Sequence, residues 1–215
     1  MIYTIIVEDN LFMLRHFESM IEKAEGFTLS GSYRDAFEAE ERCRAELIDL
    51  VLMDVQTAHN HSGLSAGERI RKHGRGTKVL CVTSLVDPEV LRRAKAGAAD
   101  SLWYKDHGDA ELMDVIKRTL SGERVFPEVS PRVELKDMFS DEISPRQLAI
   151  LRRFVEGMTY DEIARDLRLS KNGVRWNLGE LVEKGGFKNK HELLAAVIEN
   201  KLIVTTLLES ADKED

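Results

Sequence analysis

The run Ile2–Val7 (IYTIIV) is apolar and β-branched, and it stops at Glu8-Asp9-Asn10. Leu11, Leu14, Phe17, Met20 and Ile21 then recur at the spacing of one helical face. Short apolar runs return at Phe27–Gly31, Leu50–Met53 and Val79–Thr83, with a weaker one at Ser101–Tyr104. Helical periodicity fills the intervals Ala36–Leu47, Leu64–His73, Pro88–Ala96 and Ala110–Leu120. This alternation predicts βαβ crossovers and a five-stranded parallel sheet. Strands that read as continuous apolar runs fit a sheet covered by helices on both faces.

The fifth unit ends near residue 120. Ser121–Glu142, with Pro127, Pro131 and scattered charges, has no clean period and predicts a linker. Beyond it the pattern is wholly helical: Pro145–Glu156, Tyr160–Leu167, Lys171–Lys184 and His191–Glu199. The tail Leu207–Asp215 is expected to extend the last helix and fray. The expected layout is an α/β domain over 1–120, a linker over 121–140, an all-α domain over 141–205 and an acidic tail over 206–215.

Composition narrows the class. The 215 residues include 31 Lys+Arg and 38 Asp+Glu, a net charge of −7, and 43% are hydrophobic. That share can bury a core, which argues against disorder. No apolar run approaches the roughly 20 residues needed to span a bilayer. The start MIYTIIVEDN lacks a basic n-region, so no signal peptide is expected. Cys43 and Cys81 match neither a disulfide framework nor a metal spacing, and two buried thiols in a cytoplasmic protein are expected. The acidic excess is unevenly spread, because Arg165 to Lys190 holds seven basic and three acidic residues. An acidic body with a locally basic end suggests two jobs on one chain.

In an open parallel sheet the functional residues gather at the carboxyl ends of the strands. The first strand delivers Glu8 and Asp9, the third Asp54, the fourth Thr83 and Ser84, the fifth Lys105. Three carboxylates in one crevice call for a divalent cation, and Mg²⁺ suits them through its preference for oxygen ligands and phosphate. Asp54 is placed to act as a nucleophile on phosphorus, giving an aspartyl-phosphate. Lys105 would offset the phosphoryl charge and Thr83 would donate a hydroxyl. His59 and His61 are expected to be solvated loop residues.

The elements IIVEDN, LVLMD, VTS and WYKD, in this order and spacing, resemble the receiver domain of bacterial two-component response regulators. The resemblance covers about residues 1–120 and implies a flavodoxin-like fold. It further implies that a histidine kinase phosphorylates Asp54. Glu8, Asp9, Asp54 and the main-chain carbonyl of Gln56 would hold Mg²⁺, with Thr83 and Lys105 on the phosphate. Three departures stand out: Ala58 where the family commonly has Pro, a longer Gln56–Gly63 loop, and Leu102 at the aromatic switch position, followed by Trp103 and Tyr104.

In the basic end, Thr159 with Glu162 predicts a capping box and a helix from Tyr160, with Ile163, Ala164 and Leu167 buried. Ser170 caps the next helix, and two helices joined by a short turn make a helix-turn-helix layout. Val174, Leu178, Leu181 and Val182 face inward at helical spacing. That leaves Lys171, Asn172, Arg175, Trp176 and Asn177 as the candidate DNA face. Lys184, Lys188 and Lys190 are expected to meet phosphates. Over about 141–204 the segment resembles the LuxR-type helix-turn-helix of the NarL/FixJ class, through ISPR, Glu162-Ile163-Ala164 and Leu169-Ser170. Gln147, Gly173-Val174-Arg175-Trp176-Asn177 and Gly185 depart from that pattern.

The expected function is a two-component response regulator, not an enzyme. Phosphorylation of Asp54 would gate binding to double-stranded DNA as a homodimer, with His191–Glu199 supplying a contact. An alternative is a regulator of the same architecture that binds DNA without a kinase. A third reading is a Mg²⁺-dependent phosphohydrolase carrying a helical protein-binding module. Such enzymes want a second carboxylate two residues beyond the nucleophile, where this chain has Gln56.

Overall fold

The computed structural model describes residues 1–73, 75–105 and 107–204; the acidic tail expected over 206–215 lies outside them. The chain divides into two compact units, one ending at Val129 and the other beginning at Ser130.

The first unit runs β1 (Ile2–Val7), α1 (Leu11–Lys23), β2 (Phe27–Tyr33), α2 (Ala36–Ala45), β3 (Leu50–Met53), α3 (Gly63–Lys72), β4 (Lys78–Thr83), α4 (Pro88–Arg93), β5 (Ser101–Tyr104) and α5 (Asp109–Leu120). All four strand pairings are parallel, in the order β2-β1-β3-β4-β5. The order reverses between β1 and β3, which opens a crevice at their carboxyl ends. Every residue of β3 is buried, as expected for a strand with helices on both faces. On one face Phe17, Ile21, Leu112 and Ile116 of α1 and α5 pack onto Ile6, Leu52, Leu80 and Trp103.

Side-chain caps set where the helices begin. The Asn10 carboxamide accepts from the N–H groups of Phe12 and Met13, and the carboxylates of Asp35 and Asp87 cap α2 and α4. The strand expected to stop at Gly31 continues to Tyr33, because its backbone stays paired with Ile5, Ile6 and Val7 while its side chains turn polar. α4 ends at Arg93 in a wide turn over Ala94–Ala98, where Gly97 sits at a φ of 145°.

Two glycines are required by close approach. A Cβ on Gly63 would lie 1.9 Å from the Asp54 carbonyl oxygen, and one on Gly67 would lie 2.3 Å from that of Ala98. The missing side chains let α3 lie directly on the backbone that carries Asp54, through Gly63, and on that of Ala98, through Gly67.

The stretch read as a linker is shared between the units. Its first part adds to β5: Leu102 N–H donates to Val125 O, and Val125 N–H to Ser101 Oγ. Its second part holds a hairpin of β6 (Glu134–Leu135) and β7 (Met138–Phe139), turned at Lys136 with a φ of 60°.

The second unit continues with α6 (Pro145–Val155), α7 (Tyr160–Asp166), α8 (Lys171–Lys184) and α9 (Lys190–Glu199). Ile150, Leu151, Ile163, Val174, Leu178, Leu181, Leu193 and Val197 form its buried interior. Capping boxes at Ser144/Gln147 and Thr159/Glu162 start α6 and α7. Two of the departures from the helical family's pattern have local explanations. Gln147 closes its capping box and donates from Nε2 to Glu180 on α8 at 2.9 Å. The space over Gly185 is filled by the Phe187 ring, 2.2 Å from where a Cβ would stand.

Candidate functional site

The sheet brings Glu8, Asp9, Asp54, Thr83 and Lys105 to one rim. Asp54 N–H donates to Val7 O, and Lys105 N–H to Thr83 O, so the backbone fixes the spacing of the strand ends. Glu8, Asp9 and Asp54 each present a carboxylate oxygen, and these lie within 4.8 Å of one another. The Lys105 ammonium reaches both Glu8 Oε2 at 2.5 Å and Asp54 Oδ2 at 2.8 Å. Asp54 Oδ1 accepts from Val55 N–H at 2.7 Å, and Glu8 Oε1 from Asn10 N–H at 3.1 Å. Thr83 is fully buried, and its Oγ1 accepts from Leu85 N–H.

Burial dominates the electrostatics of this rim. It pushes the Asp54 carboxyl up to about 6; the Glu8 charge adds to the rise and the Lys105 charge opposes it. Burial alone would lower the Lys105 ammonium, yet the two carboxylates it touches raise it, so it stays charged. Three carboxylates against one ammonium leave a surplus of negative oxygen donors, a fit for a hard divalent cation.

Gln56 is exposed, and its backbone bridges to Ser62 across the following loop. That loop shows what the sequence reading missed. His59 and His61 expose much of their side chains, as expected, but both direct Nδ1 to the buried Asp35 carboxylate, at 2.9 and 2.7 Å. Thr57 Oγ1 accepts from Ala36 N–H and donates to His61 O, tying the loop to the start of α2. The only sequence signal was Asp35 as a helix cap; its histidine partners lie more than 20 residues away. Leu102 is buried at the switch position, and Tyr104, also buried, is the register partner of Thr83.

On the second unit, α7 and α8 are joined by Leu167–Ser170, with Arg168 at a φ of 54°. Lys171, Asn172, Arg175 and Trp176 are exposed on α8. Trp176 is 64% exposed and stands between Gly173 and Gly179, three residues to either side. Asn177 is a correction: it is buried, and its Nδ2 donates to Gly173 O at 2.8 Å, so it satisfies its own helix. Its side chain lies on the same inward side as Val174 and Leu178. Lys171 pairs with Asp161 at 2.6 Å and Lys184 with Glu142 at 3.1 Å. Lys188 is exposed. Lys190 is held in an aromatic corner, 5.1 and 4.8 Å from the Phe154 and Tyr160 ring centroids and 3.1 Å from the Tyr160 hydroxyl.

No helix among the described residues is long and apolar enough to cross a membrane.

Comparison with known proteins agrees with this division. The profile of the response regulator receiver domain matches residues 4–117, and that of bacterial regulatory proteins of the luxR family matches residues 141–197. The transcriptional regulatory protein YvfU of Bacillus subtilis is 32% identical over 206 residues, covering 94% of this chain and 98% of that protein. The nitrate/nitrite response regulator NarP of Escherichia coli is 26% identical over 187 residues, covering 83% of this chain and 86% of NarP. RcsB of Salmonella enterica serovar Typhimurium, solved bound to a promoter with a phosphomimetic, shares the fold at a TM-score of 0.60 and 20% identity, over 92% of this chain and 98% of that one. The chain belongs to the response regulators, in the branch that joins a receiver domain to a LuxR-type DNA-binding domain.

Proposed function

We propose that Asp54 accepts a phosphoryl group from the phosphohistidine of a partner kinase, and that this modification gates sequence-specific DNA binding. The observation that carries this reading is the convergence of three carboxylates within 4.8 Å beside the Lys105 ammonium. One Asp54 oxygen attacks phosphorus and the donor's P–N bond breaks; the departing imidazole nitrogen keeps the electron pair and takes a proton. At neutral pH a carboxyl raised only to about 6 is still ionised and able to attack.

The chain's own contribution is positional. Val55 N–H and Lys105 orient the two Asp54 oxygens before reaction. Once the acyl phosphate forms, the Lys105 ammonium pairs with a phosphoryl oxygen, and the Thr83 hydroxyl donates to another. Glu8, Asp9, Asp54 and the main-chain carbonyl of Gln56 would hold Mg²⁺, which would supply positive charge against the phosphoryl oxygens.

The exposed face of α8 is the reading surface in this proposal. Arg175 suits guanine and Asn172 adenine, with Trp176 offering an apolar contact to a thymine methyl. Lys171, Lys184 and Lys188 serve phosphates; Lys190, held by its aromatic corner, contributes charge from a fixed position. Two copies on two half-sites gain avidity that one copy lacks, so the DNA-bound form is a homodimer with α9 as a contact. A protein that takes phosphate from a kinase and reads DNA works in the cytoplasm.

The test is reaction with acetyl phosphate and Mg²⁺, followed by intact-mass measurement and selection from random DNA. Wild type gains one phosphoryl group and binds its selected DNA more tightly, and Asp54→Asn does neither. Equal modification of both proteins removes Asp54 from the role. Unchanged DNA affinity after modification favours the phosphorylation-independent regulator.

A further inference from the structure

The first unit has a second concavity, open to solvent and bordered by the end of α3, the start of β4 and α4, with a volume of about 760 Å³. Lys78 begins β4 and Thr83 ends it, so this cavity lies about 17 Å along the strand from the carboxylate rim. Its walls carry five cations, Arg71, Lys72, Lys78, Arg92 and Arg93, and two acids, Glu68 and Asp100. The whole chain, by contrast, has a net charge of −7.

The acids are already committed. Asp100 is buried; one oxygen accepts from Val79 N–H, and its single charge is shared by Arg71 at 3.2 Å and Lys78 at 3.8 Å. Glu68 serves Arg93 at 3.2 Å. Arg92 is balanced from outside the cavity by Glu89, while Lys72 has no ion pair among the described residues. Counting Glu89 as well, the wall holds two more positive charges than negative ones.

Helix C-termini attract cations, which accounts for Arg71 and Lys72 at the end of α3 and for Arg92 and Arg93 at the end of α4. It does not account for Lys78 on a strand, or for all five converging on one cavity of ligand size. Arg71 and Arg93 are held in place, by Gly97 O and Asp100 and by Ser65 and Glu68, so their guanidinium forks are preorganised. Their remaining N–H groups, together with the Lys72 and Lys78 ammoniums, are donors suited to phosphate oxygens. Gly76 and Gly97, both at positive φ, put no side chain into the space.

We infer that this cavity binds a small polyanion carrying several linked phosphates, either free or attached to a nucleoside. It is a site separate from Asp54 and does not rest on the phosphoacceptor reading. A ligand here spans α3 and α4, and so touches the helix that lies on the Asp54 backbone through Gly63.

The test is calorimetric titration of the full chain with inorganic triphosphate and with ATP, without divalent cation, at low and raised salt. Saturable binding is expected, weakened at least tenfold by Lys72→Glu combined with Arg92→Glu, with the melting temperature of the protein retained. These two side chains are largely exposed, so the pair leaves the fold intact, and the basic helical unit is unaltered as a background. Asp54→Asn is expected to bind as wild type does, which separates this site from the carboxylate rim. Tighter binding of ATP assigns a nucleotide; equal binding assigns the phosphate chain alone. Absence of saturable binding, or binding that survives the double charge reversal, overturns the inference.

Discussion

At the scale of single residues, the same burial that makes Asp54 chemically useful costs stability. With its carboxyl raised from the ordinary 3.8 to about 6, the native state holds the proton more tightly than the unfolded chain does. Unfolding therefore releases protons between those values, and Asp54 subtracts from stability as pH rises through that window. Asp54→Asn removes the penalty. In metal-free buffer the variant is expected to unfold like wild type below pH 3.8 and to be the more stable protein above about 6, by on the order of one to a few kcal/mol. Paired denaturant titrations across this range check it; equal stability at neutral pH would show that Lys105 fully offsets the burial. Asp35 runs the other way. Burial pushes its carboxyl up, but the bonds from His61, Phe37 N–H and His59 outweigh this and hold it below the ordinary value. Its contribution is complete above the ordinary carboxylate value and lost as pH falls below that value through the lowered native one. Asp35→Ala removes both the cap of α2 and the anchor of the His59–His61 loop, an expected loss of about 1–2 kcal/mol, read by denaturant unfolding at neutral pH.

Among elements, α3 and α8 are where a small change reaches function. Gly63→Ala places a methyl 1.9 Å from the Asp54 carbonyl oxygen, so either α3 or the Asp54 backbone must move. Acetyl-phosphate labelling is expected to slow about tenfold or more, since about 1 Å of misplacement at a reacting group costs that much. The same variant should melt earlier, and labelling at the wild-type rate would show that the helix alone absorbs the shift. On α8 the exposed Trp176 and the buried Asn177 are adjacent in sequence and opposite in expectation. Trp176→Ala should weaken selected-DNA binding about tenfold with the melting temperature unchanged, whereas Asn177→Ala should lower the melting temperature; gel shift and thermal melting separate them. The sequence pattern placed α8 and its apolar side correctly because Val174, Leu178 and Leu181 keep helical spacing. It misplaced Asn177, since a polar side chain that satisfies its own helix's carbonyl can occupy an inward position without breaking the period. The carboxylate rim was legible for a related reason: each strand ends in a chemically distinctive residue, and parallel topology alone brings those ends together. The Asp35–His59–His61 cluster was not, because it depends on a loop path with His59 and Asn60 at positive φ that no periodicity encodes.

For the molecule as a whole, the boundary between units was the least legible feature. Residues 121–129 carry no strong pattern, yet Val125 pairs with Leu102 and Ser101, and Arg124 donates to Lys95 O, so they belong to the first unit. Backbone pairing, the Ser101 hydroxyl and the Arg124 side chain hold them there, and none of these leaves a periodic mark in hydropathy. Two units with separate cores should respond separately to anything bound by one of them. A ligand that binds only the native form stabilises it by RT ln(1 + [L]/Kd), about 1.4 kcal/mol at tenfold over Kd, which raises the melting temperature of a domain of this size by several degrees. Mg²⁺ should therefore raise the melting transition of the first unit. Asp54→Asn and Glu8→Gln should largely abolish that rise, because each removes a negative oxygen donor from the cluster. The transition of the second unit should stay where it is. Calorimetric scans with and without Mg²⁺, with Ca²⁺ as a comparison for size selectivity, measure all three outcomes. A rise shared by both units, or retained in both variants, would mean that the cation acts on general surface charge and that the three carboxylates form no metal site.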